Sequence, residues 1–324
     1  MSLFSNYSEL IRKSILPKSE KANFWLGVIV ALFAAIFAST INIVGKTLVD
    51  PSYGFVEDAV HPLNLAIFLG LIAGLFFTPF AKGKKLPTKF GKKTFVLVLM
   101  LGITDVLAIT TNFFGLHHTS AVNATILINT ELLFTMIIAF TVFRERIKRK
   151  ETLPLGLIAI GAIIFPLVID ILENGNFTSG FVFGDVMIIL AALFFALDIS
   201  IARYVSTMVS ATRISQISAF AGIPFALILV LIFQIPFDIS IEQIPSIIYM
   251  GVFVSGLSYF FFVIALRLIG AIRTVLIYST TTVFGILFSG IFLGEQITEI
   301  NIFSVATITI GIYLLRKKFA KLEG

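Results

Sequence analysis

The chain contains 324 residues, of which 58% are apolar and 13% are charged, and its mean hydropathy is +1.03. A soluble domain carries about a quarter charged residues, so this composition excludes a soluble enzyme, a disordered chain and a nucleic-acid-binding domain. The sequence contains no cysteine, which excludes disulfides and thiolate-ligated metal sites. We therefore expect an all-α polytopic membrane protein embedded in a lipid bilayer.

Apolar runs bounded by charged or turn residues predict ten transmembrane helices, at about 20 residues for each crossing. Residues 1–23 are polar and basic and are expected to form a cytoplasmic N-terminal segment, and residues 316–324 a cytoplasmic tail. The first apolar run begins too late and is too long for a cleaved signal peptide, so we expect every run to remain. The predicted helices cover 24–48, 62–81, 94–116, 120–143, 153–172, 181–203, 213–235, 244–267, 271–293 and 299–315.

The basic residues alternate between connections in a pattern that predicts the topology. Of the 24 Lys and Arg residues, 23 fall in the N-terminal segment, in every second connection and in the C-terminal tail; the exception is Lys46. Cytoplasmic loops of membrane proteins carry such an excess. We therefore expect a multi-pass protein of the cell membrane with both termini in the cytoplasm, and the net charge of +6 gives no support to a nucleic-acid partner. Lys46, on the outer side, is expected to extend its amine to the lipid headgroups.

The sequence contains a weak internal repeat. A shift of 150 residues places 120–164 on 270–314 without a gap and matches eight identical residues, including the pairs Glu145/Glu295 and Gly161/Gly311. A shift of 157 aligns the first helix with the sixth. Each repeat would contain five helices, and because five is odd the second repeat starts from the opposite side of the membrane. The predicted fold is therefore ten transmembrane helices in two inverted five-helix repeats, 24–172 and 181–315, as in secondary transporters.

These repeats resemble the EamA family of the drug/metabolite transporter superfamily. The resemblance is carried by the stretches from Glu131 to Gly161 and from Thr281 to Gly311, each with a degenerate Gly-Glu or Arg-Glu motif followed by a glycine, and it extends over nearly all of 24–315. The resemblance implies a carrier with a central cavity between the halves. It also implies a small-molecule substrate, since most members of the family export amino acids, related metabolites or drugs.

Two carboxylates lie midway along predicted helices: Asp105 in the third and Glu131 in the fourth. Ionisable residues within the hydrocarbon region are candidates for function. Because about three residues join these helices, we expect them to be antiparallel neighbours with both carboxylates at a similar depth. Two close carboxylates can share a proton, so we consider the proton as a coupling ion. The alternative is that each carboxyl is bonded to a Thr or Asn on a neighbouring helix.

Other polar residues recur at helical spacing on single faces of the predicted helices. Such stripes are expected to line a polar cavity for the substrate, and the same residues would serve equally well for hydrogen bonds between helices. The candidates for substrate binding are Asn42, Asn112, Asn123, Thr130, Tyr259, Tyr278 and Thr281.

Other classes of function find less support in the sequence. An intramembrane aspartyl protease would need Asp105 and Asp198 at one depth, and we expect Asp198 near the cytoplasmic end of its helix. Nucleotide-binding and His-Glu-x-x-His motifs do not occur, so we expect no enzymatic activity, no cofactor and no metal site. A channel-like facilitator is the remaining alternative to a carrier. The cargo, the direction of transport and the oligomeric state stay open.

Overall fold

The structure is a computed structural model that describes residues 20–53, 58–81, 92–142, 152–164, 180–205 and 211–319. We group the helices of these residues in chain order as α1 to α10, and the described part of the chain has no strand. Seven helices in it are long and apolar enough to cross a membrane, and three shorter helices are also apolar. The prediction of an all-helical chain suited to several membrane crossings is confirmed. The predicted terminal segments and the basic clusters at 82–89 and 144–150 lie largely outside the described residues.

The first half of the chain supplies α1 to α5. In order, α1 comprises Glu20–Ser39 and Ile41–Val49, α2 is Pro62–Ala81, α3 is Lys92–His118, α4 comprises Ala121–Leu127 and Thr130–Thr141, and α5 is Thr152–Ala159 continued by a π-helical turn at Ile160–Ile164.

The second half supplies α6 to α10. The single-piece helices are α6, Gly180–Val205, α7, Ala211–Ile232, and α10, Glu299–Phe319. The helix Ser258–Tyr278 is shared between α8 and α9 and is divided at Gly270. Before it, α8 also comprises Ile244–Tyr249 and π-helical Met250–Leu257, and after it α9 also comprises Thr281–Phe288 and Ser289–Leu293.

Gly270 separates α8 from α9. Its φ of 79° lies in the left-handed region, where a residue without a Cβ is favoured. Phe262 and Tyr278, each eight residues from Gly270, have ring centroids 4.8 Å apart. The two limbs therefore run antiparallel, and the chain reverses at this single glycine.

Large apolar side chains cover the outside of the helix bundle. Leu231 is 77% exposed, Ile291 70% and Phe303 62%. A soluble protein seldom exposes so much contiguous apolar surface, whereas lipid tails would cover it without cost. The exposed surface agrees with a protein that is embedded in a bilayer.

Two pairs of helices meet through glycines in a reciprocal way. A Cβ at Gly161 in α5 would lie 2.8 Å from Ile308 Cγ1 in α10, and a Cβ at Gly311 in α10 would lie 2.8 Å from Ile158 Cγ1 in α5. Adding 150 to Gly161 gives Gly311, and subtracting 150 from Ile308 gives Ile158, so the repeat offset converts the first contact into the second. Such an exchange of partners is the property of an interface with a two-fold axis.

The repeat offsets also relate two other helix contacts. The contact between α1 and α8 corresponds to the contact between α6 and α3. Gly27 faces Leu268 and Ile269, whereas Gly184 faces the backbone of His118 and Thr119. Adding 150 to His118 and Thr119 gives Leu268 and Ile269, and the two glycines are the ones that the shift of 157 aligns. The offsets found in the sequence thus recur in the packing.

Polar contacts join several elements at one end of the bundle, which we call the Glu295 end. It joins the ends of α1 and α3, the starts of α4 and α6, and the connection between α9 and α10, which carries Glu295. The Val60 N–H, for example, donates to the Leu48 carbonyl at 2.8 Å. The loop charges predict that this end is on the outer side of the membrane.

Replacing Gly102 with alanine is expected to destabilise the fold. A Cβ there would clash with the backbone of Gly222 and would lie 2.5 Å from the carbonyl carbon of Ala221, so α3 and α7 would have to separate. Overpacking of this kind costs about 1–3 kcal/mol. Thermal unfolding in detergent should show a lower Tm for Gly102→Ala than for Gly156→Ala, a helical glycine with no atom within 4 Å of an added Cβ. Equal Tm values for the two variants would contradict the close approach.

Candidate functional site

Asn42 and Asn112 bond helices together. Asn42 Nδ2 donates to Thr125 Oγ1 at 3.1 Å, and Asn112 Nδ2 lies 3.4 Å from Asn42 Oδ1. All three side chains are buried, at 5% exposure or less. These contacts join α1, α3 and α4, so two predicted substrate ligands are engaged in interhelical hydrogen bonds.

The fourth helix is interrupted halfway. It turns at Ile128 and Asn129 before it resumes at Thr130. The amide of Asn129 donates to the carbonyls of Thr125 at 2.9 Å and Ile126 at 3.0 Å. These bonds replace partners that the broken helix no longer supplies, because carbonyls at a helix end lack intrahelical donors.

The ninth helix is interrupted at the equivalent place. It turns at Ser279 and Thr280 and resumes at Thr281, whose hydroxyl donates to the Tyr278 carbonyl at 2.5 Å. The two interruptions touch, because Thr282 Oγ1 donates to Asn129 Oδ1 at 3.3 Å. Interrupted helices that meet between two repeats surround the substrate sites of many transporters.

Three carboxylates lie near this crossing. Asp198 in α6 interacts electrostatically with Asp105 in α3 and with Glu131 at the start of the second part of α4. Thr104 Oγ1 also donates to Asp198 Oδ1 at 3.3 Å. Among the described residues, Asp105 and Glu131 have no hydrogen-bond donor, and both remain only half-buried. Their oxygens are therefore available to a proton or to a ligand.

Two expectations about these carboxylates need correction. The electrostatic partner of Asp105 is Asp198 rather than Glu131, because α6 packs along both α3 and the second part of α4. The short connection between α3 and α4 brings these helices together at the connection, but it does not keep them in contact further along, where the carboxylates lie. Asp198 is also level with Asp105, as its bond with Thr104 shows. The depth difference that we expected between the two aspartates is absent, because α3 begins well before the helical part that faces α6.

Two tyrosines complete the region around the carboxylates. Tyr259 in α8 hydrogen-bonds with Ser215 and interacts electrostatically with Asp198. Tyr278 in α9 hydrogen-bonds with Ser258 and interacts electrostatically with Glu131. Both predicted residues therefore lie near the carboxylate cluster, which consists of Asp105, Glu131 and Asp198.

The remaining candidates lie along the broken helices. Asn123 is buried in the first part of α4, where its N–H donates to Ser120 Oγ at 3.0 Å. Thr130 is fully buried beside Glu131, and its hydroxyl has no hydrogen-bond partner in the described part of the chain. Within the described residues, no three His, Cys, Asp or Glu side chains converge as metal ligands.

The expectation for Lys46 was wrong. Its side chain is 4% exposed, and Nζ donates to the carbonyls of Leu116 at 2.7 Å and Thr119 at 2.8 Å. The amine also forms an ion pair with Asp50 Oδ2 at 2.8 Å. Burial raises the pKa of Asp50, but hydrogen bonds from Lys46 and Ser52 outweigh burial and hold the pKa below its ordinary value. Carbonyls at the C-terminal end of a helix carry partial negative charge and therefore attract a cation.

Comparisons with known proteins agree with this architecture. A model of the EamA-like transporter family matches the chain twice, over residues 25–166 and 182–317. An uncharacterized transporter of Methanothermobacter thermautotrophicus is 27% identical over 276 residues, which cover 80% of this chain and 79% of that protein. The uncharacterized transporter YetK of Bacillus subtilis is 25% identical over 300 residues, which cover 90% and 88% of the two chains.

A solved crystal structure has the same fold. It superposes with a TM-score of 0.61 over 89% of this chain and 97% of that chain, at 14% sequence identity. Because the family model covers both halves of the sequence, the assignment does not depend on the structural likeness. The chain belongs to the EamA-like transporter family.

Proposed function

We propose that this protein is a secondary transporter that moves a small amino acid-like or drug-like solute across the cell membrane, in the direction of export. The observation that carries the proposal is the reciprocal packing of α5 on α10, in which Gly161 meets Ile308 as Gly311 meets Ile158. Two halves that exchange contacts in this way can also exchange conformations. The exchange gives two states of similar energy, each open to one side, which is alternating access.

We further propose that all ten segments cross the bilayer as two inverted repeats, 24–172 and 181–315. The two matches of the family model support this division. The alternation of basic residues supports cytoplasmic termini and an outward-facing Glu295 end. A membrane-impermeant label would test this orientation at single cysteines placed at Asn176 and Lys321, which should react from opposite sides.

The proposed substrate site lies where the interrupted helices meet the carboxylate cluster. Solute would contact Glu131, Thr281 and the tyrosines Tyr259 and Tyr278, and the carboxylates would bind the coupling proton. Asp105 and Glu131, which receive no hydrogen bond from a described residue, support this assignment. A half-buried carboxylate without a hydrogen-bond donor costs free energy unless a proton or a ligand neutralises it.

Solute counterflow in proteoliposomes tests the carrier directly. Amino acids, nucleosides and organic cations are first screened by thermal shift, and a solute that stabilises the protein is then loaded inside vesicles. A carrier should give saturable uptake of labelled solute that is stimulated by unlabelled solute on the opposite side. Uptake that rises linearly with concentration and shows no such stimulation would indicate a channel-like facilitator.

One observation favours an intramembrane aspartyl protease: Asp105 and Asp198 lie at the same height in the helix bundle and interact electrostatically. The relatives are named transporters, which favours the carrier. Incubation of the purified protein with a transmembrane peptide separates the two functions. A protease would cleave the peptide in an Asp105-dependent manner, whereas a carrier would leave it intact.

Exchanging Glu131 for glutamine is expected to remove the pH dependence of transport. An amide keeps the shape of the side chain but cannot take up a proton, so solute movement would no longer respond to a pH gradient. Initial rates of uptake measured from pH 5 to pH 8 provide the test. Glu242→Gln, at an exposed position, serves as the control and should keep the parental profile. A parental profile in Glu131→Gln would exclude Glu131 as the coupling group.

A further inference from the structure

Glu295 joins the two halves at the Glu295 end. Its Oε1 accepts hydrogen bonds from the N–H of Ala121 at 2.7 Å and from the hydroxyl of Tyr53 at 3.0 Å. Its Oε2 accepts from the N–H of Val122 at 2.8 Å. Glu295 follows α9 in the second half, whereas all three donors belong to the first half. One side chain therefore makes three hydrogen bonds across the boundary between the halves.

The backbone before Glu295 aims its side chain at α4. Gly294 ends α9 with a φ of 69°, a left-handed conformation that is strained in residues with a Cβ. The chain reverses there, and the Glu295 N–H reaches back to the Ser289 carbonyl at 3.4 Å. The carboxylate then meets the first N–H groups of α4, where unsatisfied donors and the helix dipole favour negative charge.

The segment that Glu295 holds is short, buried and separate from the rest of α4. All residues of Ala121–Leu127 are buried, and the interruption at Ile128 and Asn129 divides the segment from Glu131. Thr125 in its middle contacts Asn42, and a Cβ at Gly285 would lie 2.7 Å from Thr125 Cγ2. The segment thus lies between α1 and α9, and it runs from the Glu295 end toward Glu131 of the carboxylate cluster.

We infer that Glu295 is the latch of an outer gate, and that the gate itself is the segment Ala121–Leu127. When Glu295 caps the segment, the path from outside to the carboxylate cluster is closed; when the cap is released, the segment moves at the interruption and the path opens. This inference rests on the alternating access proposed above. It assigns to Glu295 a role in the equilibrium between the outward-closed and outward-open states, a role that requires no contact with the solute.

The absence of native cysteines makes the gate measurable, because one introduced thiol is the only thiol in the chain. Thr125→Cys places that thiol in the buried gate, and a membrane-impermeant maleimide added to oriented vesicles reports its exposure to the outside. Glu295→Gln in this background retains the side-chain shape but removes the negative charge and replaces one carboxylate oxygen with an NH2 group, which cannot accept a hydrogen bond from a backbone N–H. Loss of such a cap shifts the equilibrium by about 1–2 kcal/mol, so the labelling rate should rise about fivefold to thirtyfold.

Two further variants control the measurement. Glu299→Gln changes an exposed carboxylate four residues away and should label at the parental rate. Tyr53→Phe removes one of the three hydrogen bonds and should raise the rate by a smaller factor than Glu295→Gln. If Glu295→Gln is not recovered folded, Tyr53→Phe against Glu299→Gln decides the question.

The outcomes separate the gate from the proposed function. Parental labelling in both Glu295→Gln and Tyr53→Phe would overturn the gate even if solute is transported. So would a rise that occurs only with reagent on the side of the membrane opposite the Glu295 end. Faster labelling from the Glu295 end supports the gate, and it requires no substrate. If counterflow fails for every solute while labelling responds as expected, the carrier function fails and the latch remains.

Discussion

Replacing Asp198 with asparagine is expected to lower solute counterflow by about tenfold or more, the equivalent of one lost charged interaction of about 1.5 kcal/mol. Asp198 is the carboxylate that interacts with both Asp105 and Glu131, and it accepts a hydrogen bond from Thr104. An amide preserves the contact with the hydroxyl but can neither carry a negative charge nor take up a proton. Initial rates in proteoliposomes, normalised to the amount of incorporated protein, measure the effect.

Asp238→Asn is the matched control for Asp198→Asn, because Asp238 is exposed in the connection between α7 and α8. This variant should transport at the parental rate. The Tm of Asp198→Asn should match that of the parent within a few degrees, since the change removes charge rather than packing. Parental counterflow in Asp198→Asn would show that the carboxylate cluster does not participate in transport.

Replacing Lys46 with methionine is expected to destabilise the protein more than any other single change considered above. Methionine fills the space of the lysine side chain but leaves the carbonyls of Leu116 and Thr119 without this donor, and Asp50 with donors from Ser52 alone. Breaking a buried charge pair from one side costs about 3–5 kcal/mol. The fall in Tm, measured in detergent for Lys46→Met, provides the test.

A double variant distinguishes the ion pair from the packing around it. Lys46→Met with Asp50→Asn no longer leaves a partly buried carboxylate unpaired, so its Tm should lie above that of Lys46→Met alone. Lys92→Met, at an exposed position in α3, should unfold at the parental temperature. A Tm of Lys46→Met equal to the parental value would mean that the amine lies at the headgroups after all.

The class of fold was accessible from the sequence because hydropathy and loop charge are properties of whole segments. The interruptions of α4 and α9 were not, since the apolar run 120–143 continues through Asn129 without a proline, and its one charged residue, Glu131, does not by itself indicate a break. A signal was nevertheless present. Asn129 and Ser279 are polar residues 150 positions apart, each followed by threonine, and an internal repeat that conserves polarity within an apolar run indicates a shared backbone feature.

The positions of Lys46 and Asp198 show why single residues were harder to place. The sequence sets how far each residue is from the end of its helix, but the relative heights of two helices depend on where each one begins. α3 begins at Lys92 and extends past the part that faces α6, so Asp105 and Asp198 meet although their distances from their helix ends differ. Lys46 pairs with Asp50 four residues later, but its other partners are backbone carbonyls, which no side-chain pattern indicates.

The contact between α5 and α10 has a consequence for half of the chain by itself. Each of these helices has a glycine, Gly161 or Gly311, that leaves space for the isoleucine of the other helix, Ile308 or Ile158. The contact surface of either helix is therefore complementary to an antiparallel copy of itself. A polypeptide containing only the first half, inserted in both orientations, would therefore carry the surface needed to pair with its own inverted twin. At this contact, the single chain therefore resembles an antiparallel homodimer whose two subunits are joined in one polypeptide.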